Sequence, residues 1–365
     1  MTPSDIARLR LLNQQITGTK FTQPAELVAW LGAVQAQDYL AAKWALGLRL
    51  PGAVDDEIER AFAAGAFLRT HVMRPTWHFV APADIRWMLA LTAPRVHAIS
   101  DYYYRKTGLD AALFARSNDT LARALQGGHE RTRDELRDAL EQAGIALDDP
   151  LRLGYILMRA ELEGIICSGA RRGKQFTYAL LDECVPPART LERDEALAEL
   201  TRRYFISHGP ATARDFAWWA GLTVTDAQRG LAIVGADLQR AEVEGETYWL
   251  AASALPARKA AETAHLLPNF DEYAVGYRGY DALFQGLGAD KLVFRHPLLM
   301  AGQMAGGWKR SLTKGAVIVE MKTLAPLTES ERQAVGAAAE RYGAFLGLPV
   351  EIVEQRRQIG EDERA

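Results

Sequence analysis

Two glutamines separated by a single residue are the side chains whose types and spacing most suggest chemistry. Gln35 and Gln37 lie in the segment GAVQAQD, at the end of an apolar run with helical periodicity. A glutamine amide is not a strong base, but it offers an acceptor oxygen and two donor hydrogens. A close pair can therefore hold a water molecule and a polar substrate edge together. Such a site suits a reaction whose leaving group departs with little catalytic assistance. The alternative interpretation is a polar helix end.

The spacing of the two glutamines constrains the backbone that carries them. Residues two apart point in nearly opposite directions on a helix, whereas in extended chain they share a face. We therefore predict that the helix frays or ends at this point. Asp38 would face away from both glutamines in an extended stretch, so we predict that it is a helix-end or hydrogen-bonding residue.

Basic and imidazole side chains follow in the strand-like segment FLRTHVMRPTWHFVA. Arg69 and His71 fall on one face of the first predicted strand, where they would meet a phosphate or a base edge near the glutamines. The alternative is an exposed polar strand face. Arg74 belongs to the same candidate DNA-binding set, and the dipeptide Arg74-Pro75 predicts the turn. His78 could be an acid–base group, but its aromatic neighbours favour a hydrogen-bonded packing residue.

Two later segments carry polar or basic groups without a familiar catalytic template. Asn269, Asp271 and Glu272 could bind a metal or transfer protons, yet no complementary ligand cluster follows, so a structural role in a tight loop is favoured. Lys309 and Arg310 end a glycine-bearing segment that lacks the spacing of a P-loop or a Rossmann fingerprint. A hairpin with a basic, DNA-contacting end is predicted there. No metal site and no cofactor are expected.

The order helix, turn, helix, strand pair occurs three times, which predicts three winged helix-turn-helix units. In the first, the helical segments are 24–37 and 55–65. In the second, a helix is predicted over 131–143, with Thr132 as N-cap and Glu135 completing a capping box. Pro150 then opens a second helix.

The second unit ends in the strands IICSG and QFTYALL, joined by a basic turn. Arg171, Arg172 and Lys174 in this turn would reach phosphates, while Gly173 keeps the turn slim enough for a groove. A DNA-contacting wing is predicted. The third unit has helices broken at Gly221, with Thr225 or Asp226 as the next N-cap, and an acidic wing that favours packing alone.

The remaining chain alternates short apolar runs with glycines and then forms a last helix, 328–346, and a last strand. It predicts a small sheet capped by a helix, followed by the disordered tail GEDERA. The fold class is thus α+β and helix-rich. The predicted division is 1–120, which carries the glutamines, 121–190 and 191–256 for the second and third winged helices, and 257–365 for the β-rich end.

Composition bounds the classes of protein that remain. The 365 residues are 48% hydrophobic and 24% charged, a composition typical of globular proteins. The net charge of −3 argues against a protein that coats nucleic acid non-specifically. Local basic grooves can still bind phosphates, because fields are screened beyond about 10 Å. The two cysteines, Cys167 and Cys184, are too few for a disulfide framework or a four-ligand zinc site, so a reducing compartment is expected. No signal peptide or membrane span is evident, and a cytoplasmic protein is predicted.

Four segments carry a resemblance to a known family: VQAQDYLAAKWALGLR, LRTHVMRPTWHFVAPADIRWMLALTAPRV, LLPNFDEYAVGYR and GQMAGGWKR. In this order, from about residue 5 to 355, the chain resembles the bacterial AlkZ-like DNA glycosylases, which are built from tandem winged helices. The family's catalytic Gln-hydrophobic-Gln motif matches Gln35, Ala36 and Gln37. A sister branch has Gln-x-Asp instead, so the chain resembles the AlkZ branch, although Ala36 is a small hydrophobe.

The resemblance implies excision of alkylated purines, including bulky adducts and interstrand crosslinks at guanine N7, from double-stranded DNA. An N7-alkylated base departs as a neutral molecule, so the enzyme mainly positions water against the developing sugar cation. Bulky bases cannot turn freely into a snug pocket, so an open concave cleft is expected instead of ordinary base flipping. A monomer, associated with the nucleoid when bound to DNA, is expected.

The competing class is a non-enzymatic winged-helix protein, either a transcription regulator or a binder of genotoxin adducts. Winged helices alone favour regulation, because that is the commonest use of the module. A regulator usually dimerises to read two half-sites, however, and no dimerisation helix is evident. Nor does a regulator need paired glutamines in a cleft.

Overall fold

The computed structural model describes residues 1–18, 20–185, 190–251, 263–279 and 296–354. They form a mixed α+β fold with several small sheets, as the sequence predicts. The predicted tail lies outside the described residues. In the part that the structure describes, no helix is long and apolar enough to cross a membrane.

The first third of the chain is mostly helical, with one three-stranded sheet of its own. Its elements are α1 (Pro3–Asn13), α2 (Pro24–Leu31), β1 (Ala33–Gln35), α3 (Tyr39–Gly47), α4 (Asp55–Ala63), β2 (Leu68–Val72), β3 (Arg74–Val80), α5 (Ile85–Lys106), α6 (Ala111–Leu125) and β4 (Arg131–Thr132).

The middle of the chain alternates helix groups with short strands. Its elements are α7 (Arg133–Gln142), α8 (Pro150–Leu162), β5 (Ile166–Ser168), β6 (Thr177–Leu180), α9 (Leu181–Cys184), α10 (Arg193–Ser207), α11 (Ala213–Ala220), α12 (Val224–Val234), β7 (Leu238–Val243) and β8 (Glu246–Ala251).

The last part contains the largest sheet, with strand order β13-β12-β11-β10-β9. Its elements are β9 (Ala264–Leu266), α13 (Glu272–Val275), β10 (His296–Met300), β11 (Gln303–Leu312), β12 (Val317–Thr323), α14 (Glu329–Leu346) and β13 (Val350–Glu354). The predicted small sheet with its terminal helix is confirmed, and Thr328 is the N-cap of that helix.

The helix before the glutamines ends four residues short of Gln35, which confirms the predicted break. Gly32 closes α2 with φ +78°, a conformation that glycine adopts without steric cost. Gln35 is then the last residue of β1. Asp38 begins α3 as its N-cap, accepting a hydrogen bond from the Ala41 N–H at 3.1 Å. The predicted helix-end role of Asp38 is therefore confirmed.

Strand β1 joins the predicted β2–β3 pair in the order β1-β3-β2. Gln35 lies opposite His78 on β3, which lies opposite Thr70 on β2. The predicted turn at Arg74-Pro75 is wrong. Met73 makes the turn, with φ +64°, and Arg74 and Pro75 begin β3. Burial of Met73 and the bond from its N–H to Thr92 Oγ1 outweigh the usual turn preferences.

In the middle of the chain, one predicted helix start agrees with the structure and another does not. The capping box of Thr132 and Glu135 is present at the start of α7. The prediction of Thr225 or Asp226 as the N-cap of α12 is wrong, because Thr223 is the N-cap and Asp226 is its capping-box partner. Thr223 and Asp226 have the three-residue spacing of a capping box.

Cys167 and Cys184 are free thiols.

Two contacts pack later parts of the chain against its first third. At the end of α11, Gly221 has φ +63°, and a Cβ there would lie 1.9 Å from the Met73 carbonyl oxygen. Deep in the protein, the Arg49 guanidinium donates to both carboxylate oxygens of Asp271, at 2.7 and 2.8 Å. Both charged side chains are fully buried. The segment that precedes α13 is thereby fixed against the N-terminal helices.

Candidate active site

Gln35 is held at both its backbone and its side chain. Its N–H donates to Glu272 Oε1 at 2.7 Å, and its Oε1 accepts from Arg74 Nη2 at 3.0 Å. A guanidinium has only donors, so the amide oxygen must face Arg74. Among the described residues, Gln35 Nε2 has no hydrogen-bond partner. The residue is 8% exposed, so one donor group of a nearly buried amide remains available.

Gln37 differs from Gln35 because its side chain is exposed. Its Oε1 lies 3.5 Å from the Trp77 N–H, the limit of a hydrogen bond. The backbone beside it is fixed more firmly: the Ala36 N–H donates to Trp77 O at 2.7 Å, and Ala36 O accepts from Arg69 Nε at 3.0 Å. The amide of Gln37 can therefore turn toward a ligand while its backbone stays in place.

Glu272 links Gln35 to the rest of the core. Its Oε2 accepts from Trp219 Nε1 at 2.8 Å and lies 3.4 Å from His208 Nε2. Burial alone would raise the pKa of Glu272, but the contact with His208, the Gln35 N–H and the charge of Arg74 outweigh it and lower the pKa to about 2. Burial also lowers the pKa of His208. Glu272 is thus an ionised carboxylate at neutral pH, and it accepts the hydrogen bond of the Gln35 N–H.

The neighbouring Asp271 has the structural role that was favoured for this segment. Besides its pair with Arg49, it accepts from the Tyr273 N–H at 2.9 Å and is the N-cap of α13. The position of Glu272 against Gln35 is what the sequence did not reveal. The acidic pair is evident in the sequence, but no periodicity or motif links residues so distant in the chain.

His78 is a packing residue, as its aromatic neighbours indicated. It is fully buried beside Gln35 in the sheet, and its Nδ1 lies 3.0 Å from Thr76 O. Burial, reinforced by the nearby charge of Arg74, lowers the pKa of His78 to about 3. The imidazole is therefore neutral at ordinary pH and inaccessible to a substrate.

Arg69 and His71 lie on one face of β2, as predicted, but both are buried, so the alternative of an exposed polar face is wrong. The Arg69 guanidinium lies 4.3 Å from the ring centroids of both Trp77 and Phe176. Burial lowers its pKa to about 10. His71 Nδ1 is hydrogen-bonded to Glu161. In this conformation the two side chains support the sheet, and contact with DNA would require them to move.

Arg74 lies at the site but is directed toward Gln35. It is half-buried, and its guanidinium lies 5.9 Å from the ring centroid of Trp218. Trp218, on α11, is 49% exposed and donates from Nε1 to Val275 O at 3.3 Å. An exposed aromatic ring beside Arg74 is a second feature that no pattern in the sequence predicts.

The predicted wing is a basic turn between β5 and β6, but two of its cations are engaged. Arg171 pairs with Glu59 at 3.2 Å, and Arg172 pairs with Glu135 at 2.8 Å. Lys174 is exposed. It lines an open depression of about 350 Å³ whose walls also include Arg69, Trp77, Arg133 and Phe176. The depression therefore joins the wing to the strand that lies beside the glutamines.

Lys309 and Arg310 lie within β11, opposite Glu320 and Val319 of β12. The predicted basic hairpin end is wrong, because β11 continues to Leu312 and the chain turns only at residues 313–316. Lys309 is exposed and pairs with Glu320 at 2.9 Å across the hairpin. Arg310 is half-buried and donates to the Tyr342 hydroxyl. Within the described ranges, no group of three or more His, Cys, Asp or Glu side chains could hold a metal ion. The expectation of a cofactor-free site stays a prediction.

Comparison with known proteins identifies the class. A family model described as DNA glycosylase AlkZ-like matches residues 28–345, so the chain belongs to the AlkZ-like DNA glycosylase family, and its substrate is DNA. The family predicted from the four sequence segments is confirmed.

A curated relative from Streptomyces sahachiroi, named interstrand DNA cross-link repair glycosylase, is 25% identical over 364 residues, covering 91% of this chain and 94% of the relative. The solved structure of Streptomyces sahachiroi DNA glycosylase AlkZ aligns with a TM-score of 0.81 at 22% identity, covering 97% of this chain and all of that one. At this identity the structural likeness establishes the fold alone.

Proposed function

We propose that this DNA glycosylase hydrolyses the N-glycosidic bond of alkylated purines in double-stranded DNA, of the N7-alkylguanine type, with water positioned by Gln35 and Gln37. The observation that carries the proposal is the fixed orientation of Gln35 beside an exposed Gln37. An N7-alkylated purine is already cationic and leaves as a neutral base, so protonation of the leaving group is unnecessary. Weakly basic amides that place water and stabilise the transition state are sufficient.

Bulky adducts and interstrand crosslinks are proposed as substrates as well. The relative with the crosslink-repair name aligns along nearly the whole chain. A crosslinked base remains attached to the opposite strand, so it requires an open site. We propose that the three helix–helix–strand-pair segments are winged helices, with boundaries near 120, 190 and 256, that curve around duplex DNA. The glutamines would lie on the concave wall.

The DNA contacts proposed are Arg69, His71, Arg74, Arg171, Arg172, Lys174, Lys309 and Arg310. Lys174 has the most direct support, because it is exposed at a depression that reaches Trp77 beside Gln37. The arginines of the wing would have to exchange their carboxylate partners for phosphates. We further propose a monomer that acts in the cytoplasm, associated with the nucleoid when bound to DNA.

Release of 7-methylguanine from alkylated duplex DNA tests the chemistry. We expect Gln35→Ala and Gln37→Ala to lose about 10²-fold or more of the single-turnover rate, since each removes a preorganised group from the transition state. Gln333→Ala, which truncates an exposed glutamine on α14, is the matched control. A glycosylase without lyase activity should leave an abasic site in an unbroken strand.

Equal rates for the parent and both glutamine variants would overturn the water-positioning mechanism. Tight binding of alkylated DNA with no base released by the parent would instead support the non-enzymatic binder. A panel of N7- and N3-alkylated duplexes, including a crosslinked one, would then identify the accepted lesions from the bases released.

A further inference from the structure

We propose that Arg74 is the positioning residue of the glutamine pair, and that it gives the two amides different tasks. Gln35 donates to the substrate through Nε2, and Gln37 accepts from the attacking water through Oε1. This inference rests on the proposed function and narrows it, because the water is then held by Gln37 alone and Gln35 contacts the substrate. It also reassigns Arg74 from a phosphate contact to a residue that acts through Gln35.

The first argument is the fixed orientation of the Gln35 amide. A free amide can rotate by half a turn and exchange its donor and acceptor. Arg74 Nη2, 3.0 Å from Gln35 Oε1, prevents this exchange, because a guanidinium cannot accept a hydrogen bond from an NH₂ group. Because this oxygen faces Arg74, the group of Gln35 that is left for a ligand is the donor Nε2. Its Nε2 is suited to donate to an acceptor atom of the departing base.

The second argument is that Arg74 is itself fixed. It is the first residue of β3, directly after the buried turn residue Met73. The end of α11 packs against this turn, where a Cβ on Gly221 would lie 3.3 Å from Arg74 Cγ and much closer to the Met73 carbonyl oxygen. Trp218 on the same helix faces the guanidinium. A side chain confined in this way is better suited to hold one amide than to follow a DNA backbone.

The third argument concerns charge. Cleavage of the glycosidic bond develops positive charge on the sugar, which a nearby uncompensated arginine would disfavour. The buried carboxylate of Glu272, which holds the Gln35 N–H at 2.7 Å, supplies the opposite charge. Arg74 holds the side-chain oxygen of Gln35 and Glu272 holds its backbone N–H. The opposite charges of Arg74 and Glu272 leave the surroundings of Gln35 with little net charge.

Gln37 is free to take the complementary task. Among the described residues, its Oε1 makes only the 3.5 Å contact with the Trp77 N–H. A water molecule can take the place of that contact or bridge the two groups. Its side chain is exposed, whereas that of Gln35 is nearly buried. The acceptor for water is therefore the more accessible amide, and the donor to the substrate is the more rigid one.

The experiment separates rate from affinity in Arg74→Met and Arg74→Lys. After the parent protein is shown to release 7-methylguanine, we measure single-turnover rates at saturating protein and, separately, the salt dependence of binding to the same duplex. We expect Arg74→Met to lose about 10²-fold in rate, the effect of a misplaced catalytic group. DNA affinity should change little. Arg74→Lys should recover part of the rate, because it can still donate to Oε1.

Arg95→Met, which removes an exposed arginine from α5, is the matched control, and thermal melting checks the folding of each variant. If Arg74 contacts a phosphate instead, Arg74→Met will weaken binding, lower the salt slope by about one and leave the saturated rate unchanged. That result would overturn the inference and leave the proposed function intact. A parent protein that releases no base would overturn the function itself.

Two acidic substitutions test the division of tasks. In Gln35→Glu the new carboxylate can pair with Arg74 but has no donor, so we expect a loss as large as for Gln35→Ala. In Gln37→Glu an acceptor for water remains, so the loss should be much smaller than for Gln37→Ala. Equal losses in Gln35→Glu and Gln37→Glu would contradict the separate roles.

Discussion

A glutamine contributes reliably to catalysis only when its amide is held in one orientation, because rotation exchanges the donor and the acceptor. At the scale of single residues, Gln35 meets this requirement through a cation at its oxygen and an anion at its backbone N–H. The anion is the more unusual partner. A fully buried carboxylate remains stable only when its acceptor oxygens are satisfied, and Glu272 has the Gln35 and Trp219 N–H groups for this purpose.

The ionisation of Glu272 leads to a prediction about stability and pH. Its pKa is about 2 in the folded protein, below the usual value of 4.5, so the ionised form stabilises the fold fully above about pH 4.5. That stabilisation is lost as the pH falls from 4.5 toward 2. Glu272→Gln should therefore lower the thermal midpoint markedly near pH 7 and much less near pH 3. A difference between the two proteins that stays constant over this range would contradict an ionised Glu272.

At the scale of elements, local sequence signals placed some helix ends correctly, although the predicted N-cap of α12 lies too far along the chain. The capping box of Thr132 and Glu135 fixes the start of α7, and the break between α2 and Gln35 followed from the geometry of a two-residue spacing. The turn at Met73 was missed because the packing of buried side chains decides it. The burial of Arg69 and His71 depends on Phe176 and Glu161, roughly one hundred residues later, which no strand pattern can reveal.

The close approach of α11 to the Met73 turn provides a test at this scale. Gly221→Ala places a Cβ at φ +63° and within 1.9 Å of the Met73 carbonyl oxygen. We expect a loss of ~1–2 kcal/mol for the backbone conformation. Displacement of the turn should add a further loss of ~1–3 kcal/mol and misplace Arg74. Urea unfolding and the base-release rate measure the two effects.

Gly65→Ala is the matched control for this substitution. Its φ is +71°, but a Cβ there meets nothing within 4 Å, so it should show only the cost of the backbone conformation and keep its activity. Equal stability losses in the two variants would mean that the approach of α11 does not constrain the turn.

At the scale of the whole molecule, the candidate active site is assembled from distant parts of the chain. Arg49 pairs with Asp271 in the interior, and the next residue along the chain, Glu272, reaches Gln35. Arg49 also donates to Gln14 O at 2.8 Å and to Gln14 Oε1 at 3.0 Å, so the N-terminal helices and the segment before α13 share one buried network. A disturbance of that network should spread to Gln35.

Removal of one member of the buried pair should be costly. Arg49→Met leaves the Asp271 carboxylate without its cation, and we expect a loss of about 3–5 kcal/mol in the free energy of unfolding. The double variant Arg49→Met, Asp271→Asn should lose less than the sum of the single losses, because the stranded charge is gone. Urea denaturation of the parent, the two single variants and the double variant gives the coupling free energy between Arg49 and Asp271. Arg172→Met, which breaks an exposed pair, is the control, and solvent screening should keep its effect small. Additive losses at Arg49 and Asp271 would contradict the network.

The bond between Gln35 and Glu272 spans 237 positions of the chain, and this separation has a consequence for how the enzyme comes into existence. During synthesis both glutamines leave the ribosome long before the carboxylate that fixes Gln35. A nascent or prematurely terminated chain therefore carries the complete glutamine motif but cannot hold Gln35 in place. Competence to remove bases should therefore arise only when translation has passed residue 272.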